Sequence, residues 1–235
     1  MQKKSVNLVN GAVQIACSTT ADGDMLPRDK TGSELEKVRS NIDNFLKQIN
    51  SAITKAAWVR MDYDREDYRR YMVVGPDDAG AGLSDNHPIA VADGLATRAK
   101  NMTLFLPLAD CLGAALYDPE NAALMMTHLG RHATEQHGAT TSVEFMTEKF
   151  GTDPKHLQIW LSPSASAENY PMWTFNNRSQ RDVNIEHFIS TGVRPENITG
   201  DNIDNTTDPN YFSHSNFLKG LQKTDDKFAI AARIA

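Results

Sequence analysis

Apolar residues fall into two patterns along this chain. In 103–107 (Thr-Leu-Phe-Leu-Pro), 113–117 (Gly-Ala-Ala-Leu-Tyr) and 123–127 (Ala-Leu-Met-Met-Thr) they form short, nearly continuous runs. Runs of that length, bounded by turn residues, read as strands buried on both faces. The turn-forming Asp118-Pro-Glu-Asn121 folds the last two into a hairpin. Further strands are predicted at 13–18, 57–61, 71–74, 89–92, 157–161 and 228–234. The second pattern is helical: Leu35, Val38, Ile42, Phe45, Leu46 and Ile49 recur at helical spacing. They predict a helix over 34–54, with Ser33 and Glu36 as its capping box. Two more helices are predicted, at 134–150 before Gly151 and at 183–191 with Gly192 as its stop. Polar stretches separate these elements. Residues 62–70, nearly all charged or tyrosine, read as a solvated loop, and 75–88, rich in Gly, Asp and Pro, as a long exposed loop. There is no internal repeat and no long linker. Strands interleaved with a few helices indicate an α/β or α+β layered fold with mixed sheets flanked by helices.

Composition narrows the class. A chain of 235 residues with 40% hydrophobic and 23% charged residues suits one domain over 1–235 with a substantial core. Its net charge of −6 argues against a general nucleic-acid binder, while leaving room for a local phosphate pocket. Two cysteines, Cys17 and Cys111, make no disulfide framework, so a cytoplasmic setting is expected. Asn7, Asn10 and Gly11 interrupt any secretory apolar stretch. No apolar run approaches the roughly 20 residues of a membrane span. Neither nucleic acid nor membrane is therefore expected as a partner.

Candidate chemistry centres on Cys111 and His128, at the edges of two predicted buried strands, with Gly130 close behind. A thiol and an imidazole so placed can bind zinc or copper, or act as nucleophile and base. Taken singly, each has a plainer reading as a small buried hydrophobe or a structural histidine. Strand alternation would point Asp110 and Cys111 to opposite faces, so that only one lines a pocket. Asp93 either caps a turn or lines that pocket. Arg131 and His132, at a helix start, suit a phosphate or simply a solvated surface. His137 is expected on a helix surface. Dinucleotide and nucleotide loops, a zinc-finger cysteine spacing and a nucleophile elbow are absent from the sequence.

The blocks Ala92-Asp-Gly-Leu-Ala-Thr97, Leu108-Ala-Asp-Cys111, His128-Leu-Gly130 and Trp160-Leu-Ser-Pro163 resemble, in order and spacing, the laccase-domain family. That family is also known as the multicopper polyphenol oxidoreductases and includes the peptidoglycan editing factors. Tyr211-Phe-Ser-His214 and the closing apolar run resemble its C-terminal motif, without the two arginines that follow there. The resemblance implies a laccase-domain-like fold and a zinc, or less readily a copper, on one Cys and two His. Cys111 and His128 match two of these; Tyr63 stands at the third position, where Asp62, Asp64 or His87 are possible substitutes. The blue-copper His-Cys-His run is missing, so the laccase label has no support in these residues.

The activity implied is purine nucleoside phosphorolysis, with related adenosine deamination, on a small nucleoside and phosphate in a monomer or homodimer. Cys111 and His128 would form the centre, Asp93 or Asp110 the acid–base group, and Arg131 or His132 the phosphate contact. The alternatives are a catalytically degenerate ligand-binding or housekeeping protein of the same fold, and a Cys–His hydrolase acting on cell-wall precursors.

Overall fold

A computed structural model describes residues 5–84 and 91–235. Among these, the strands are β1 (Ser5–Leu8), β2 (Val13–Cys17), β3 (Ala56–Trp58), β4 (Tyr71–Val73), β5 (Gly94–Thr97), β6 (Thr103–Leu108), β7 (Leu112–Asp118), β8 (Ala123–Leu129), β9 (Gln158–Leu161), β10 (Ile198–Gly200) and β11 (Phe228–Ile234). The helices are α1 (Gly32–Leu46), α2 (Arg131–Glu135), α3 (Gly138–Phe150), α4 (Gln180–Ser190) and α5 (His214–Leu218), with short 3-10 turns between elements. One sheet runs β1-β2-β11-β6-β3 and the other β10-β9-β7-β8-β5-β4. Both are mixed: pairing is antiparallel through the middle, and β3–β6, β9–β10 and β4–β5 are parallel at the edges.

The continuous apolar runs follow from four layers. Leu104, Leu106 and Leu108 of β6 face the second sheet and pack with Ala115, Tyr117, Leu124 and Met126. Phe105, the alternate residue, faces outward onto Val38, Ile42 and Phe45 of α1. On the far side of the second sheet, Ala114, Leu116 and Met125 meet Val143, Met146 and Phe188 of α3 and α4. Each central strand is therefore covered on both faces, which is why its sequence does not alternate. Packing between the sheets is tight at Gly113, where a Cβ would stand 2.8 Å from Ile230 Cδ1 and from Leu108 Cδ1.

The expected mixed α/β layering is present, with local corrections. The first helix ends at Leu46, passes into a 3-10 turn and stops at left-handed Asn50 (φ 54°) rather than running to 54. Its N-cap is Thr31, with no side-chain bond, not a Ser33–Glu36 box. The helix expected over 134–150 is two helices, because His137 turns left-handed at φ 59°. The last predicted helix begins at Gln180, where Ser179 caps it by accepting from Asp182 N–H. The strand expected at 89–92 runs instead from Gly94 to Thr97, and 89 and 90 lie outside the described residues. The short elements β1, β10 and α5 carry no sequence periodicity long enough to predict. Among the described residues, no helix is long and apolar enough to cross a membrane.

Candidate functional site

Strand alternation delivers the histidine. Along β8, Leu124, Met126 and His128 share the face between the sheets, and His128 is the last inward residue. Its backbone N–H donates to Asp93 O at 2.8 Å, which pins the end of β8 to the segment entering β5. Cys111 comes from the tight turn joining β6 to β7, and β7 pairs with β8 so that Gly113 lies opposite His128. The two reactive groups meet over Gly130. A Cβ built there would lie 3.0 Å from His128 Nε2 and 3.1 Å from Cys111 Sγ, so they are neighbours across that one point.

Burial sets their protonation. His128 is 4% exposed, and burial lowers its pKa to about 4, so the ring is neutral. Burial, and then the Asp110 charge, push the Cys111 thiol up to about 12 against the opposing pull of Lys227 and Arg131. At neutral pH the pair is a thiol and an imidazole, not a thiolate and an imidazolium.

This pair forms the wall between two recesses. The larger, about 430 Å³, has apolar sides from Leu26, Trp58, Met61 and Leu108, and polar groups from Arg28, Asp110, His214, Asp225 and Lys227. The smaller, about 130 Å³, is bounded by Tyr68, Gly130, Arg131 and His132. Cys111, His128, Tyr63 and Tyr170 line both.

The remaining sequence candidates are distributed unevenly. Tyr63 does reach the pair, its ring standing edge-on to that of His128 with centroids 6.2 Å apart. Asp93 is 1% exposed and committed to a two-point pair with Arg70, Oδ2 to Nε at 2.7 Å and Oδ1 to Nη2 at 3.0 Å. It lines neither recess and serves to support β8. Asp110 does not continue the strand: it is left-handed at φ 76°, so alternation does not separate it from Cys111, and both line the larger recess. Its carboxylate accepts from Asn205 Nδ2 at 3.0 Å and from Ser215 N and Oγ at 2.7 and 2.6 Å, bracing the turn against α5. Arg131 is held in a sandwich, 4.4 Å from the ring centres of both Tyr170 and Trp173, and donates to Pro171 O. His132 stacks on Tyr68 with centroids 4.8 Å apart. His137 is on the surface, as expected, but its ring packs on His187. His87 lies outside the described residues.

A zinc site needs at least three protein ligands. Among the described residues, no three His, Cys, Asp or Glu side chains are grouped to hold a metal. Cys111, His128 and the Tyr63 phenol supply one thiol, one imidazole and a weak third donor. The described residues therefore do not fit the zinc or copper site that the resemblance implied. Residues that sequence reasoning passed over are Arg28, Lys227 and Asp225, while His214 was singled out only as part of the C-terminal motif and given no role. Their only signal was charge within polar segments, and folding alone brings them to one cavity.

Comparison with known proteins agrees with this architecture. A protein from Bacillus subtilis (strain 168) named "Purine nucleoside phosphorylase YlmD" is 30% identical over 115 residues. That match takes in 48% of this chain and 41% of the relative, so it spans less than half of that protein. The crystal structure of Bacillus licheniformis hypothetical protein YfiH superposes with a TM-score of 0.80 at 17% identity, covering 95% of this chain and 93% of that one. YlmD from Geobacillus stearothermophilus gives 0.79 at 15% identity, covering 100% and 98%. These solved structures share the fold. The sequence pattern of the family described as "Multi-copper polyphenol oxidoreductase laccase" matches residues 25–181, well over half of the chain, and the chain belongs to that family.

Proposed function

We propose that the chain is a purine nucleoside phosphorylase-like enzyme whose reaction centre is the Cys111–His128 pair. The observation that carries this reading is the meeting of the two side chains over Gly130 at the wall of the larger cavity. The name of the Bacillus subtilis relative supports the substrate class. The cavity chemistry agrees with it. Leu26, Trp58 and Met61 offer an apolar slot for a flat base, and Arg28 and Lys227 offer positive charge for phosphate. Phosphate oxygen would attack C1′ of the ribose while the C1′–N9 bond breaks and its electron pair passes into the base. A neutral imidazole and an un-ionised thiol suit hydrogen bonding to the sugar. A thiol held near 12 is a poor nucleophile, which disfavours the alternative of a Cys–His hydrolase on cell-wall precursors.

Arg131 and His132 reach only the smaller recess, whereas Arg28 and Lys227 line the larger one beside the apolar slot. Arg28 and Lys227 are therefore the better phosphate contacts. One observation favours a second reading, a degenerate ligand-binding protein: the incomplete metal-ligand set around Tyr63. Incubating the protein with inosine, guanosine or adenosine, with and without phosphate, separates the two. Base release that requires phosphate supports the enzyme. Tight nucleoside binding without release in either condition supports the degenerate protein.

A further inference from the structure

The Cys111–His128 pair leaves one requirement of the reaction unmet. A purine departs readily only if the negative charge that builds on its ring is neutralised, most directly by a proton delivered to N7. Neither member of the pair is suited to give it. The His128 ring is already neutral with its pKa lowered to about 4, and the Cys111 thiol is pushed up to about 12.

A second imidazole lines the same cavity. His214 opens α5, and its Nδ1 lies 2.9 Å from Asp225 Oδ1. The same carboxylate oxygen accepts from Lys227 Nζ. Partial burial works against ionisation of Asp225, but the bonds from Lys227 and His214 outweigh it and hold the carboxyl below its usual range. A carboxylate fixed on Nδ1 sets the ring's orientation and leaves Nε2 as its free nitrogen. The ring's position is also fixed from the other side, because the adjacent Ser215 is bound through N and Oγ to Asp110, one residue from Cys111. Asp110 thus ties the turn carrying Cys111 to the helix carrying His214. The charged groups sharing this cavity are Arg28, Asp110, Asp225 and Lys227.

We propose that His214, oriented by Asp225, is the general acid that protonates the departing purine. The assignment rests on the nucleoside reading above. In the step, a phosphate oxygen forms its bond to C1′ as the C1′–N9 bond breaks. The bond's electron pair passes into the base, and the Nε2 proton of His214 moves to N7. The neutral ring then takes a proton back from solvent.

The test compares inosine with 7-methylguanosine, whose base already carries positive charge and needs no proton at N7. In His214→Gln, phosphorolysis of inosine falls more than tenfold, while that of 7-methylguanosine stays within about twofold of the unaltered protein; Asp225→Asn, which also releases Lys227, lowers inosine turnover more than tenfold and lowers it more than that of 7-methylguanosine. The alkaline limb of the inosine pH profile, where a general acid loses its proton, moves or disappears in Asp225→Asn. Two variants guard against loss of folding in either one, and retained turnover of 7-methylguanosine itself reports an intact site. Equal losses on both substrates, or no loss on either, overturn the assignment of His214 and leave the nucleoside reading standing. No base release from either substrate by the unaltered protein overturns the nucleoside reading and this assignment with it.

Discussion

Gly130→Ala gives a sharp test of the site's geometry. Gly130 has φ −73°, which alanine adopts freely, so the backbone gives no reason for strain. On that count alone the substitution would stabilise the protein by about 0.4–1 kcal/mol, through a less flexible unfolded chain. The side chains predict the opposite sign. The new methyl would stand 2.6 Å from His128 Cε1, 3.0 Å from its Nε2 and 3.1 Å from Cys111 Sγ. His128 is 4% exposed and its backbone N–H is tied to Asp93 O, so the ring has little room to swing away. Overpacking of this kind costs about 1–3 kcal/mol. For a chain of this size that lowers the thermal midpoint by roughly 2–12 °C. The methyl also forces the thiol and imidazole apart, and displacement on the order of 1 Å at a reacting centre costs about a hundredfold in rate. Thermal denaturation and nucleoside turnover are the assays. A variant as stable as the original, with undiminished turnover, would refute the claim that Cys111 and His128 close over this glycine.

Three further outcomes are expected. Cys111→Ala and His128→Ala each lower phosphate-dependent base release more than tenfold, about 1.4 kcal/mol in the barrier; steady-state kinetics with full turnover in either variant would remove that residue from the reaction. Tyr63→His adds a nitrogen donor beside His128 and raises zinc affinity at least about tenfold in a chelator competition, consistent with a third ligand completing a site; unchanged affinity would mean that residue 63 does not face the pair productively. Asp118 is buried, which works against its ionisation, yet bonds from Thr152, from the Asn121 side chain and from the backbone of Asn121 and Glu120 hold its carboxyl below the usual range. Because the folded value is depressed, its stabilisation is complete above the unfolded value of about 3.9 and is lost as pH falls through the folded one. Asp118→Asn therefore costs about 1–3 kcal/mol at neutral pH. Urea denaturation should show that deficit narrowing below about pH 4, and a deficit that does not change with pH would contradict the linkage.

The family's description names copper, but its chemistry does not follow from these side chains. Cys111, His128 and Tyr63 line the same two recesses, yet no third histidine, cysteine or carboxylate groups with them to hold a metal among the described residues. A site assembled from such a set relies on shape, hydrogen bonding and charge from the cavity walls.

What the sequence determined by itself is what depends on near neighbours. The apolar runs of β6, β7, β8 and β11 identified strands covered on both faces, and the Asp118 turn identified their hairpin, because period and turn chemistry act over a few residues. Helical spacing located α1 but not its end, since left-handed Asn50 leaves no mark on the apolar pattern. Cys111 and His128 were legible because both sit at strand ends in blocks of fixed spacing. Only the tertiary structure decided the rest. Alternation could not assign Asp110, whose left-handed turn puts it on the wall with Cys111 while its carboxylate bonds 95 and 105 residues away. Nothing local shows that Arg131 is clasped by Tyr170 and Trp173, or that Asp93 is spent on Arg70. The pairing of His214 with Asp225 depends on how a polar, aperiodic segment folds against two sheets, and contacts of that kind are set by packing between distant strands rather than by the residues beside them.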